Sequence, residues 1–147
     1  MSLVDKALEF AVSAHYGQRD KGGKPYILHP IRVMLSLLTL SERTVGILHD
    51  TVEDTYITFD ILRQLKYPER IIKAIDSVTK RNDEKWIDFV ERSSQDSLGI
   101  KVKLADIKDN MDPVRMHKLD HSTRNRLHKK YTKALNYLNQ IAIKIED

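Results

Sequence analysis

Cysteine is absent from the 147 residues. That excludes disulfides, thiolate metal sites and cysteine nucleophiles, so any transition-metal site must use His, Asp and Glu. No run of eighteen or more apolar residues occurs, so no segment reads as a membrane span. The opening residues Met1 to Lys6 hold no secretory hydrophobic stretch, and we expect a cytoplasmic location. Repeats, low-complexity tracts and Pro/Gly/Ser linkers are missing, and the length points to one domain over 1–147. Neither sign of charge dominates. A net charge of +4 and a pI of about 9.2 favour an anionic ligand without demanding nucleic acid. Histidine is scarce, with six copies, so each position carries information.

The most informative stretch is Val45 to Thr55. His49, Asp50, Glu53 and Asp54 are four ionisable side chains in an otherwise apolar and β-branched run. On a continuous helix Glu53 lies one turn after His49, and Asp54 one turn after Asp50. Burying such groups is costly unless they are paired or bound to a metal. The pattern suggests a metal centre with acid/base groups beside it; a lone His-Asp dipeptide, by contrast, is commonly a surface pair.

Along the chain, apolar spacing gives a first helix from Leu3 to about His15, ending near Gly17. Residues 17–25 form a loop with three glycines, one proline and the cations Arg19, Lys21 and Lys24. It reads either as a solvated turn or as a phosphate-gripping loop. Pro30 fits the first turn of the next helix, with His29 at its N-cap side. Ser41 can cap a helix from Glu42 to about His49. Thr58 or Asp60, and then Asp83, can cap later helices. The alternation from Ile100 to Leu104 resembles a strand, but no second strand exists to pair with it, so residues 98–111 are expected to be helical. Asp106 then shares an apolar face and needs a partner. A long last helix follows Asp120 or Ser122. Its buried stripe is Leu127, Tyr131, Leu135, Leu138, Ala142 and Ile145, and its basic residues, Lys130 among them, are expected on a solvated face. The whole is an all-α bundle of seven or eight helices.

The candidate metal ligands His29, His49, Asp50 and Asp106 come from three separate predicted helices. Two imidazoles and two carboxylates suit Mn²⁺, Fe²⁺, Zn²⁺ or Mg²⁺. The order H…HD…D resembles the HD-domain metal-dependent phosphohydrolases. His15-Tyr16-Gly17-Gln18, Gly23 to Pro30, Leu48 to Thr55, Val78-Thr79-Lys80 and Lys103 to Asp106 with Asn110-Met111 together resemble the hydrolase domain of Rel/Spo-type stringent-response enzymes over roughly residues 7 to 115.

That resemblance implies a single-domain HD-type bundle and hydrolysis of the 3′-pyrophosphate of guanosine tetra- or pentaphosphate (ppGpp, pppGpp). It implies one divalent ion, Mn²⁺ first, held by His29, His49, Asp50 and Asp106. Glu53 and Asp54 become the acid/base pair, and Arg19, Lys21, Lys24, Tyr26 and Asn110 the substrate contacts. The partner is a small-molecule nucleotide, with no nucleic acid and no membrane; a homo-oligomer stays open. Two departures stand out: Asp20 interrupts the basic pair Arg19/Lys21, and Asp109 precedes Asn110. They keep two alternatives alive, an HD hydrolase of another nucleoside phosphate or pyrophosphate, and a non-catalytic nucleotide-sensing or protein-binding module.

Overall fold

The computed structural model describes residues 1–146. The elements are α1 (Leu3–Ala14), α2 (Leu28–Ser36), α3 (Leu40–Leu48), α4 (Thr51–Asp54), α5 (Phe59–Gln64), α6 (Glu69–Ser77), α7 (Trp86–Ser94), α8 (Gly99–Asn110), α9 (Pro113–His117) and α10 (His121–Glu146). Two of these, α4 and α9, are single short turns, which is why the count exceeds the seven or eight expected. No strand is present among the described residues; a lone antiparallel bridge joins Arg19 to Pro25.

Several helix starts differ from expectation. Thr39, not Ser41, begins α3, because Thr39 and Glu42 form a reciprocal capping box that satisfies two free N–H groups. Lys85, not Asp83, precedes α7, and Asp83 is instead a turn residue at φ 61°. Pro30 lies in the first turn of α2, but the helix opens earlier, at Leu28, which places His29 inside it. Asp120 does cap α10, accepting the Thr123 N–H at 2.8 Å. The side chain of Ile145, last in the expected stripe, lies outside the described residues.

Two apolar clusters share one helix. Ala7, Val33, Val45, Ile47, Leu48, Ile75 and Val102 belong to the larger cluster, built from the first half of the chain with α8 against it. Val90, Ile100, Ile107, Ala134 and Leu138 form the second, where α10 packs on α7 and α8. Val102 thus faces one cluster while Ile100 and Ile107, two turns apart, face the other. Apolar residues on opposite sides of α8 produce the strand-like alternation seen in the sequence. Filling these clusters is worth roughly 1.5–3 kcal/mol per large aliphatic side chain. Gly46 lets α3 pack against α2: a Cβ there would lie 2.6 Å from Leu37 Cδ1, so the Leu37 side chain would have to shift.

The loop between α6 and α7 is clamped by Arg92. Its Nε and Nη2 donate to the Glu84 carboxylate at 2.8 and 2.9 Å, and the same guanidinium donates to the carbonyls of Asp76 and Thr79. The Arg92 pairing pulls the Glu84 carboxyl down to about 2 from the usual 4.5. A depressed carboxyl adds stability above its unfolded value and loses it as pH falls towards the folded one. Glu84→Gln is therefore expected to cost about 1.5 kcal/mol at pH 7. Urea midpoints of variant and parent should converge as pH falls from 4.5 towards 2; a gap independent of pH would refute the pairing.

Candidate active site

α2 and the end of α3 bring His29, His49 and Asp50 together, and α8 sets Asp106 beside both imidazoles. His49 Nε2 lies 3.1 Å from Asp50 Oδ2 and 3.4 Å from Asp106 Oδ1; His29 Nε2 lies 3.7 and 3.0 Å from the same two oxygens. Donor atoms bound to one ion at about 2.1 Å stand roughly 3.0 Å apart in an octahedron and about 3.4 Å apart in a tetrahedron. One donor each of His29, His49 and Asp50 lies within 4.8 Å of the others, and Asp106 Oδ1 approaches both imidazoles at 3.0 and 3.4 Å.

Each imidazole is fixed by its other nitrogen. The Gly46 carbonyl can only accept, so His49 Nδ1 carries the proton and donates to it at 2.6 Å. Asp109 Oδ2 plays the same part for His29 Nδ1 at 2.6 Å. Both Nε2 atoms then face the Asp50 and Asp106 carboxylates, with His29 Nε2 in hydrogen-bond distance of Asp106 Oδ1 at 3.0 Å. His49 Nε2 is fully buried and makes no hydrogen bond. A buried nitrogen without a partner is costly unless something else binds it, and a divalent cation among these donors fits. Burial alone would pull both histidines down, but Asp106 and Asp109 beside His29, and Asp50 and Asp106 beside His49, push both above the ordinary value.

The helix ends at about His49, as expected, so the continuous helix that would carry on through Glu53 and Asp54 is broken at His49 and Asp50. α3 ends at Leu48, Asp50 takes a bridging conformation at φ −101°, ψ 0°, and α4 restarts at Thr51. The Asp54 N–H still donates to the Asp50 carbonyl at 3.0 Å, so one turn survives. The break lets His49 and Asp50, adjacent in sequence, address the same point. Glu53 and Asp54 line the adjoining pocket. Burial, then the charges of Asp50 and Glu53, push Asp54 up to about 6, and burial with the Asp50 charge raises Glu53. Both are thereby shifted towards neutral pH, as acid/base groups require.

The pocket holds a cavity of about 700 Å³. Arg19, Lys21, Lys24, Tyr26 and Asn110 all line it. Tyr26 also donates its hydroxyl to Asp50 Oδ2 at 2.5 Å, and Asn110 donates to Asp106 Oδ1 at 3.2 Å. Asp20, the residue that interrupts the basic pair, staples the loop: its Oδ1 accepts the N–H groups of Gly22 and Lys24, both at 2.9 Å. Arg19 and Lys21 flank it, and both reach the pocket.

Other residues at the site were given no role by the sequence reading, although Lys103, Lys80, His15 and Gln18 lie in the motifs that carry the resemblance. Lys103 is buried, 3.1 Å from Asp106 Oδ2 and 4.2 Å from the Phe89 ring centre. Lys130, expected on a solvated face, instead turns inward to lie 4.1 Å from the Trp86 ring. The attraction of an ammonium to an aromatic face explains the turn. The Lys80 N–H donates to Glu53 Oε1 at 2.7 Å. His15 holds Gln18 at 2.8 Å, and Gln18 donates to the Asp54 carbonyl at 2.7 Å.

No family model matches the chain. A solved metazoan ortholog of SpoT, described as hydrolysing ppGpp and acting in starvation responses, superposes with a TM-score of 0.74 at 21% identity, covering 98% of this chain and 96% of that one. The fold is therefore the all-α HD-type bundle. Among curated relatives, the guanosine-3′,5′-bis(diphosphate) 3′-pyrophosphohydrolase of Aquifex aeolicus is 33% identical over 120 residues, 74% of this chain. The enzyme of the same name from Borreliella burgdorferi is 43% identical over 84 residues, 54% of this chain. The chain spans 17% and 12% of their lengths. It is a protein of the Rel/Spo hydrolase-domain type.

Proposed function

We propose that the chain is a metal-dependent phosphohydrolase that removes the 3′-diphosphate of ppGpp or pppGpp, leaving GDP or GTP and pyrophosphate. The observation that carries this reading is the fit of the His/Asp cluster to a cation: His29, His49 and Asp50 offer donors within 4.8 Å of one another, and the buried His49 Nε2 makes no hydrogen bond. The similarity to named pyrophosphohydrolases supplies the substrate.

His29, His49, Asp50 and Asp106 would hold the ion. A divalent cation there, Mn²⁺ first, would supply Lewis acidity towards a phosphoryl oxygen and towards water. Glu53, oriented by the Lys80 N–H, takes the proton of the attacking water, with Asp54 beside it. Arg19, Lys21 and Lys24 neutralise phosphate charge from the loop, and Lys103 and Lys130 do so from the opposite wall. Asn110 and Tyr26 fix ligand carboxylates and contact the nucleotide. A nucleotide substrate fits the cytoplasmic location expected from the sequence.

The stapled loop and Asp109 favour a second reading within the same chemistry, another nucleoside polyphosphate. Pyrophosphate release from ppGpp with Mn²⁺, beside a panel of nucleotides at matched concentration, separates the two. We expect ppGpp to be turned over fastest. Mn²⁺-loaded protein inert towards ppGpp but active on another nucleotide would overturn the substrate; inert towards all, it would overturn the enzyme.

A further inference from the structure

We propose that Asp109 is a positioning residue of the metal site, taking the Nδ1–H of His29 so that Nε2 is turned towards Asp50 and Asp106. The inference rests on the metal reading above. α8 supplies Asp106 and, one turn later, Asp109 on the same face. α2 supplies His29 and, one turn later, Arg32.

Asp109 is well anchored. Its side chain is only 13% exposed. Oδ2 meets His29 Nδ1 at 2.6 Å, while Arg32 Nε donates to Oδ1 at 2.9 Å and to Oδ2 at 3.2 Å. Arg115 Nη2 lies 3.1 Å from Oδ1 and donates to the Asp109 carbonyl. Two guanidiniums thus lock the carboxylate in one orientation, and the carboxylate locks the imidazole. The two histidines differ in this respect, since His49 is oriented by a neutral backbone carbonyl. A carboxylate behind an imidazole makes it the stronger ligand, and losing such a partner typically weakens metal binding 10–100-fold.

The test is Mn²⁺ titration of the full chain by electron paramagnetic resonance, with melting of the metal-free protein measured alongside. Asp109→Asn should bind Mn²⁺ about 10-fold more weakly and Asp109→Ala up to about 100-fold. Arg32→Gln, which spares the acceptor of the His29 proton, should change affinity by less than about 3-fold. Equal affinities in all variants, whatever their melting temperatures, would make Asp109 a structural anchor and overturn the inference. If the Asp109 variants do not fold, ring ¹⁵N spectra of the Zn²⁺-loaded parent decide. A His29 Nδ1–H supports the assignment, and an Nε2–H refutes it. A parent that binds no Mn²⁺ would instead remove the metal reading, and this inference with it.

Discussion

Asp50→Ala is expected to lose Mn²⁺ binding and pyrophosphate release together. Asp50 Oδ2 faces both His49 Nε2 and His29 Nε2, so the carboxylate is shared by the whole cluster rather than appended to it. Removing it leaves two imidazoles and one carboxylate, with less negative charge to hold a divalent cation. We expect affinity to fall at least about 100-fold and kcat/KM at least about 10³-fold, roughly 4 kcal/mol of transition-state stabilisation. The change also strips the Tyr26 hydroxyl of its acceptor. Tyr26→Phe removes that hydroxyl and leaves the carboxylate, and should keep Mn²⁺ bound. Isothermal titration with Mn²⁺, and circular dichroism of the metal-free variants, separate a lost ligand from a lost fold. A folded Asp50→Ala protein that binds Mn²⁺ as tightly as its parent would remove Asp50 from the ligand set.

The four candidate ligands were legible because each is an ionisable side chain placed where the surrounding apolar pattern demands burial. Asp106 is the clearest case: it lies on a helix whose neighbours Val102 and Ile107 are wholly buried. What the pattern could not supply was the break at His49 and Asp50. Nothing in Leu48-His49-Asp50-Thr51 is a helix breaker by composition; the chain leaves the helix at the two adjacent residues that face His29 and Asp106. Lys130 was misplaced for a related reason. A basic run on an amphipathic helix reads as solvated, and only the arrival of Trp86 from a distant element turns one lysine inward. Lys103 alternates with apolar residues and could equally have pointed out. Asp109 was noticed as a departure, but its pairing with His29 spans eighty positions, and no spacing rule reaches that far.

Glu53→Gln is expected to keep the cation and lose the rate. Glu53 stands outside the four-residue cluster, so its replacement leaves His29, His49, Asp50 and Asp106 intact. The glutamine oxygen can still accept the Lys80 N–H that Glu53 Oε1 now takes at 2.7 Å, so the side chain should stay in place. The loop carrying Lys80 keeps its own anchor in Arg92. What the amide cannot do is take a proton from water. General-base contributions of this kind are typically about 10²–10⁴-fold, and the loss should appear in kcat with KM little changed, because the phosphate-facing cations are untouched. Pre-steady-state mixing of Mn²⁺-loaded variant with ppGpp distinguishes a slowed chemical step from slowed product release. Asp54 sits next to it with its carboxyl pushed up to about 6 and is the alternative base. Glu53→Gln at full rate, with Asp54→Asn inactive yet Mn²⁺-bound, would move the proton transfer by one residue and leave the remainder of the mechanism standing.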